Sequence, residues 1–190
     1  WVDARYRTLA RRESRGLAGH SMGGYGTFRI GMKHPEVFSS LYAMSSCCLS
    51  PRRADPVQDM KYETMDPDTV TEKDFRDLAY FATAAAYSSN PLNPPHYFDL
   101  VTSEGKPVPM VEARWAANAP AVFLAQHVPA LKGMKAIAMD VGDQDFLLDD
   151  NKLMHAELTR FGIAHDYALY EGDHGNRVQQ RADRCRRHHR

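Results

Sequence analysis

The sequence predicts an α/β fold, a mainly parallel sheet with flanking helices. Three observations carry this expectation. Short apolar segments alternate with helical patterns, a glycine-rich turn joins one such segment directly to a helix, and loops holding Asp or His follow two of the later segments. The 190 residues are enough for one domain with a real core. Lys plus Arg and Asp plus Glu are both 24, so no overall field points to nucleic acid or an anionic membrane. No apolar run is long enough to span a bilayer. The chain opens on Trp1 rather than Met, so no compartment is read from a targeting segment.

Trp1 to Arg15 reads as a helix with a polar face, carrying five arginines. Arg15 to His20 is apolar at Leu17 and Ala18 and reads as a short buried strand. Gly23 to Lys33 reads as a helix with Tyr25, Phe28, Ile30 and Met32 as its apolar surface. His34-Pro35 ends it, because the residue before proline is pushed out of the helical region. Ser40 to Ser45 is a second candidate strand. The adjacent Cys47 and Cys48 read as buried small apolar residues after it; with Cys185 they form neither a disulfide framework nor a zinc spacing.

Residues 51–120 differ in character, holding most of the chain's eleven prolines. A helix near Thr71 to Tyr87, capped at Thr69 or Thr71, lies within them, followed by a proline-rich run from Asn90 to Phe98. Such an insertion between strands is a place for a lid or substrate wall, or for a cover over the sheet edge. Tyr97, Phe98 and Trp115 are its notable aromatics. Lys135 to Val141 is a clear strand, followed by an acidic loop from Gly142 to Asp150. Asp149 or Asp150 can cap the next helix, whose stripe is Met154, Leu158 and Phe161 and whose C-cap is Gly162. His165 to Glu171 is a further strand, and Gly172-Asp173-His174-Gly175 turns out of it. Arg181 to Arg190 holds five arginines and no aliphatic residue larger than Ala182, which reads as a solvated basic tail. His188 and His189 are adjacent there, but nothing near them makes a metal site. The expected organisation is a domain over 1–180, an insertion over 51–120 and a tail over 181–190.

The chemistry centres on Gly19-His20-Ser21-Met22-Gly23, a G-x-S-x-G pattern between a strand and a helix. That pattern suits a sharp turn that pushes a serine hydroxyl out at the top of a sheet. Its glycines serve the tight dihedrals and the close approach of neighbouring backbone. The free N–H groups and dipole of the following helix then point to where an oxyanion would form. A serine hydroxyl needs a base, and the base needs a carboxylate. In a parallel sheet these groups come from loops at the carboxyl ends of strands. His174 meets that condition. His165 sits at the opposite end of its strand, His155 lies inside a helix, and His34, His96 and His127 look structural. His20 adjoins the serine, and its side chain is expected to face away. Asp140 is still inside its strand, whereas Asp143 and Asp145 lie past it and either could reach the histidine.

Gly19-His-Ser-Met-Gly-Gly-Tyr-Gly26 resembles the nucleophile elbow of the esterase family that includes esterase D, S-formylglutathione hydrolases, feruloyl esterases and the antigen 85 mycolyltransferases. Tyr6-Arg7-Thr8, Val141-Gly142-Asp-Gln-Asp145 and Glu171-Gly-Asp-His174 resemble that family's approach to the elbow, its acid loop and its histidine loop. The resemblance implies an α/β-hydrolase fold and favours Asp145 over Asp143 as the acid. It implies a serine carboxylic ester hydrolase with Ser21 as nucleophile, His174 as base, the Met22 N–H as an oxyanion donor and an acyl-enzyme intermediate. It calls for no cofactor or metal, and for a small-molecule or carbohydrate-linked ester as substrate. The chain supplies only the C-terminal part of the family's sheet, so the strand at Arg15 to His20 is expected at an unpaired edge and the second oxyanion donor is not identified. Acyl transfer by the same triad, a catalytically incomplete hydrolase fragment and, last, a peptidase of the same fold are the alternatives. Specificity and oligomeric state are not read from the chain.

Overall fold

The computed structural model describes residues 1–188, with side chains as far as Asp183. In chain order the elements are β1 (Gly16–His20), α1 (Met22–Lys33), β2 (Ser40–Met44), α2 (Pro56–Asp59), α3 (Phe75–Tyr87), β3 (Thr102–Ser103), β4 (Lys106–Pro107), α4 (Pro109–Ala116), α5 (Pro120–Phe123), α6 (Val128–Lys132), β5 (Ala136–Gly142), α7 (Leu148–Arg160), β6 (Asp166–Tyr170) and α8 (Val178–His188). They form two compact units, Trp1–Ser50 with Pro120–Arg190 and, separately, Pro51–Ala119.

The first unit is built on a four-stranded parallel sheet of order β1-β2-β5-β6. Strand β2 is buried along its whole length, and its alternation assigns its side chains to two faces. Leu41 and Ala43 join Ile137 and Met139 of β5 in the main core, with Phe28 and Met32 of α1 and Met154 and Leu158 of α7. Tyr42, Met44 and Ala138 form a smaller cluster. Helix α1 buries Gly24, Thr27, Phe28, Gly31 and Met32, a stripe at helical spacing. Ile30, expected on the apolar side, is instead exposed. Strand β1 is an edge of the sheet and is only partly buried, as the sequence led us to expect.

Three local expectations fail, each for a physical reason. The first fifteen residues hold only a single 3₁₀ turn, Arg12–Ser14. Their apolar stripe is loose, and a helix of that length is marginal without packing; Arg12 instead donates to the carbonyl of Gly133 at 3.0 Å. Asp150 does not cap α7. Its carboxylate accepts from the amides of Leu49 (2.9 Å) and Ser50 (3.2 Å), anchoring the segment after β2. Helix α3 starts at Phe75, later than expected; Thr71 donates to Asp74, the residue before its first turn.

The expected tail also differs. Residues 178–188 form α8, and Arg181 is only 5% exposed. Its guanidinium donates to buried Asp140 from Nε at 2.8 Å and lies 2.6 Å from the same oxygen through Nη2. It also reaches Ser45 Oγ (3.2 Å) and the Tyr170 hydroxyl, while Tyr42 donates to the other Asp140 oxygen. A polar network of Asp140, Arg181, Tyr42, Tyr170 and Ser45 therefore occupies a place where the sequence promised only solvated charge. The side chains of Cys185, His188 and His189 lie outside the described residues.

The unit at 51–119 has its own aromatic core. The Tyr62 and Tyr80 rings stack at 3.6 Å, and Phe81 meets both edge-on. Trp115 is buried and donates to Ser88 Oγ at 2.9 Å, as a buried indole N–H must find an acceptor. Phe98 packs against this core, whereas Tyr97 is exposed. A cavity of about 570 Å³ within the unit is lined by Glu63, Asp99, Thr102, Val111 and Arg114 among others. No helix among the described residues is long and apolar enough to cross a membrane.

Candidate active site

Backbone hydrogen bonds anchor the turn between β1 and α1. Ser21 has φ 57°, a positive value that a serine rarely adopts. Strain of this kind costs about 1–3 kcal/mol and persists only where the surroundings over-determine it. Here the Ser21 N–H donates to the Met44 carbonyl at 2.9 Å, and the Ser21 carbonyl accepts from Gly24, Tyr25 and Cys47. Two glycines are required by contact. A Cβ on Gly19 would stand 2.1 Å from the Gly23 carbonyl oxygen, and one on Gly24 would stand 2.1 Å from Ser46 Oγ. Gly23 itself faces open space, so its smallness is not a packing requirement.

The sequence-predicted residues come together. Ser21 Oγ lies 3.0 Å from His174 Nε2. On the other side of the ring, His174 Nδ1 lies 3.0 Å and 3.2 Å from the two Asp145 oxygens. An ionised carboxylate can only accept, so Nδ1 carries the proton and Nε2 presents a lone pair to the serine hydroxyl. Asp145 is 5% exposed and is fixed further by the Leu147 N–H, which donates to it at 2.9 Å. Met22 opens α1, where its N–H has no intrahelical acceptor and the helix dipole is positive. Asp143, the other carboxylate past β5, accepts from the Gly172 N–H at 2.9 Å and so ties the acid loop to the histidine loop. Asp173 accepts from the amides of Gly175 and Asn176, which hold its carboxyl below the usual range.

Two neighbours escape the sequence reading. His20 does not face away from the site. Its Nε2–H donates to the His174 carbonyl at 2.8 Å, and the two rings are 4.7 Å apart. Burial holds His20 below its ordinary value, an effect opposed by that carbonyl. Strand alternation ends at the elbow, so the alternation rule gives the wrong side for His20. Phe146, 78% exposed, sets its ring 4.7 Å from that of His174. An aromatic residue directly after the acid is the sequence signal for it. Among the described residues, Asp66, Asp68 and His96 have metal-ligand spacing, their ligand atoms lying within 4.8 Å of one another.

A strained serine at a helix N-terminus, hydrogen-bonded to an imidazole backed by a buried carboxylate, is an arrangement chemically able to support nucleophilic acyl transfer. The chain belongs to the esterase family whose model, described as "Putative esterase", matches residues 1–179. Solved structures agree on the fold, an α/β-hydrolase. A ferulic acid esterase is 20% identical with a TM-score of 0.54, the match covering 90% of this chain and 48% of that one. An S-formylglutathione hydrolase of Staphylococcus aureus is 17% identical with a TM-score of 0.57, covering 97% and 57%. The fluorophosphonate-binding serine hydrolase F of Staphylococcus aureus is likewise 17% identical with a TM-score of 0.57, covering 97% and 56%. The chain thus spans about half the length of these structures. No curated protein matches it significantly.

Proposed function

We propose that the protein is a serine esterase that hydrolyses carboxylic esters through an acyl-enzyme. The observation that carries this is the unbroken line from Ser21 Oγ through His174 to buried Asp145, with contacts of 3.0 Å on each side of the imidazole. Ser21 Oγ attacks the ester carbonyl carbon while His174 Nε2 accepts its proton. Asp145 holds the Nδ1–H and stabilises the imidazolium. Negative charge develops on the carbonyl oxygen at the start of α1, where the Met22 N–H and the helix dipole oppose it. His174 returns the proton to the departing alkoxide, leaving Ser21 acylated. A water then attacks with His174 again as base, and the acid leaves.

Membership of the esterase family supports the ester as substrate. Small-molecule and carbohydrate-linked esters are the classes we favour, in keeping with the name of one similar structure, a ferulic acid esterase. The test is labelling of the chain with a fluorophosphonate probe. One probe per chain is expected on Ser21 and none on Ser21→Ala; labelling that survives Ser21→Ala removes the nucleophile assignment. Transfer of one acyl group from an activated aryl ester, read by intact mass, tests the covalent intermediate.

A further inference from the structure

Behind the elbow lies a pair of nucleophiles that the ester chemistry does not use. Cys47 and Cys48 follow β2 at the carboxyl edge of the sheet, where Ser21 also stands. The sequence reading made them buried apolar residues, but Cys47 is half-buried and Cys48 exposed. Both are free thiols, adjacent in the chain. The neighbouring thiol pushes the Cys48 thiol below its ordinary value, and with burial it pushes the Cys47 thiol above its own. Cys48 is the attacking group, being exposed where Cys47 is half-buried.

The backbone links this pair to the serine. The Cys47 N–H donates to the Ser21 carbonyl at 3.2 Å. On either side the chain is pinned. Asn151 accepts from the Ser46 N–H at 3.1 Å and donates to the Ser46 carbonyl at 2.9 Å, while Asp150 holds the amides of Leu49 and Ser50. Cys48 itself sits at φ 59°, a left-handed conformation that a cysteine adopts at a cost. The Ser46 carbonyl and the Cys47 N–H belong to one planar peptide, so turning that peptide to close a 47–48 ring loosens the Asn151 contact and the Ser21 contact together.

We propose that Cys47 and Cys48 are a redox-modification site that closes to a vicinal disulfide on exchange with a small-molecule disulfide, and that closure weakens the Cys47 hold on the nucleophile elbow. The exchange balances in two steps. The Cys48 sulfur attacks the disulfide R–S–S–R, forming Cys48–S–S–R and releasing R–SH. The Cys47 sulfur then displaces the second R–SH, closing the ring, so that two protein thiols are oxidised and one disulfide is reduced to two thiols. Neighbouring Cα atoms stand about 3.8 Å apart across a trans peptide, closer than in ordinary disulfides. The ring is strained and readily reduced, which makes it a reversible modification rather than a structural staple.

The effect on Ser21 reactivity rests on the esterase reading; the thiol chemistry does not. The test uses the full chain carrying Cys185→Ser, treated with 2-hydroxyethyl disulfide. Expected are loss of both thiols, no retained adduct by intact mass, faster hydrogen exchange at the Cys47 amide, and fluorophosphonate labelling slowed roughly tenfold. Dithiothreitol returns both thiols, the exchange rate at Cys47 and the labelling rate to their starting values. In the same background Cys47→Ser retains one hydroxyethylthio adduct, because no neighbour can displace it. An adduct that persists with both cysteines present, or two thiols that survive treatment, overturns the ring. Ring closure with unchanged exchange at Cys47 overturns the link to the elbow. Failure of the reduced chain to label at all would count against the esterase reading alone, since thiol loss and exchange at Cys47 are read without it.

Discussion

Replacing Arg181 with methionine separates a solvated tail from a buried structural element. The guanidinium is 5% exposed and Asp140 is 1% exposed, with contacts of 2.8 Å and 2.6 Å to one carboxylate oxygen. Methionine fills comparable volume and removes the charge. Asp140 then keeps one described partner from this network, the Tyr42 hydroxyl, and stays buried. Tyr170 and Ser45 each lose a donor as well. Breaking a buried pair from one side costs about 3–5 kcal/mol, because the remaining charge has no compensation. Exposed ion pairs are worth only about 0–1 kcal/mol. Urea denaturation followed by circular dichroism distinguishes these ranges. The double variant Asp140→Asn/Arg181→Met removes the orphaned charge and is expected to recover most of the loss. A deficit under about 0.5 kcal/mol for Arg181→Met, the ordinary size of a surface change, would refute the buried network.

Other outcomes follow from single contacts. Gly24→Ala places a Cβ 2.1 Å from Ser46 Oγ and 3.0 Å from Ser46 Cα, against a backbone that Asn151 holds on both sides; a loss of about 1–3 kcal/mol in urea denaturation is expected. Asp145→Asn keeps the packing but no longer fixes the Nδ1–H tautomer, so fluorophosphonate labelling should slow by roughly three to four orders of magnitude with little change in fold. Stability should fall on acidification. Burial, and then the neighbouring His165, hold His155 below its ordinary value, and burial does the same for His20. The unfolded chain therefore binds protons first, and stability present above about pH 6.5 is lost as pH drops toward the folded values. His155→Gln should flatten the difference in denaturation midpoint between about pH 7.5 and 5.5, and an unchanged difference would argue against a depressed His155.

The parts of the fold that could be read from sequence are those fixed by short-range rules. The elbow was legible because Gly19 and Gly24 have steric duties that any side chain would violate. His174 was legible because a parallel sheet offers its loops at one edge, and a histidine between glycines just past β6 falls there. Arg181 was not legible. A segment without large aliphatic residues reads as solvated, and nothing local to it reveals that its partner is Asp140, far away in β5. The cysteines failed for a related reason. Cysteine is commonly buried, and the turn that exposes Cys48 depends on Asn151 and Asp150 from α7.

The acidic run of 140–150 shows why the carboxylate partner of His174 needed three dimensions. It offers five aspartates of one chemical type within eleven residues. Position along the strand separates Asp140 from the rest, since it lies inside β5 and meets a guanidinium. Position cannot separate Asp143 from Asp145, because both follow the strand within three residues of its end. Their partners do. Asp143 is exposed and accepts a backbone amide, a contact that shapes a loop. Asp145 is buried with both oxygens on an imidazole. A carboxylate withdrawn from water interacts more strongly with a developing cation than one left in it. Burial and contact with a ring that can become charged therefore favour Asp145 over Asp143 as the proposed acid, whereas the sequence could prefer it only by resemblance.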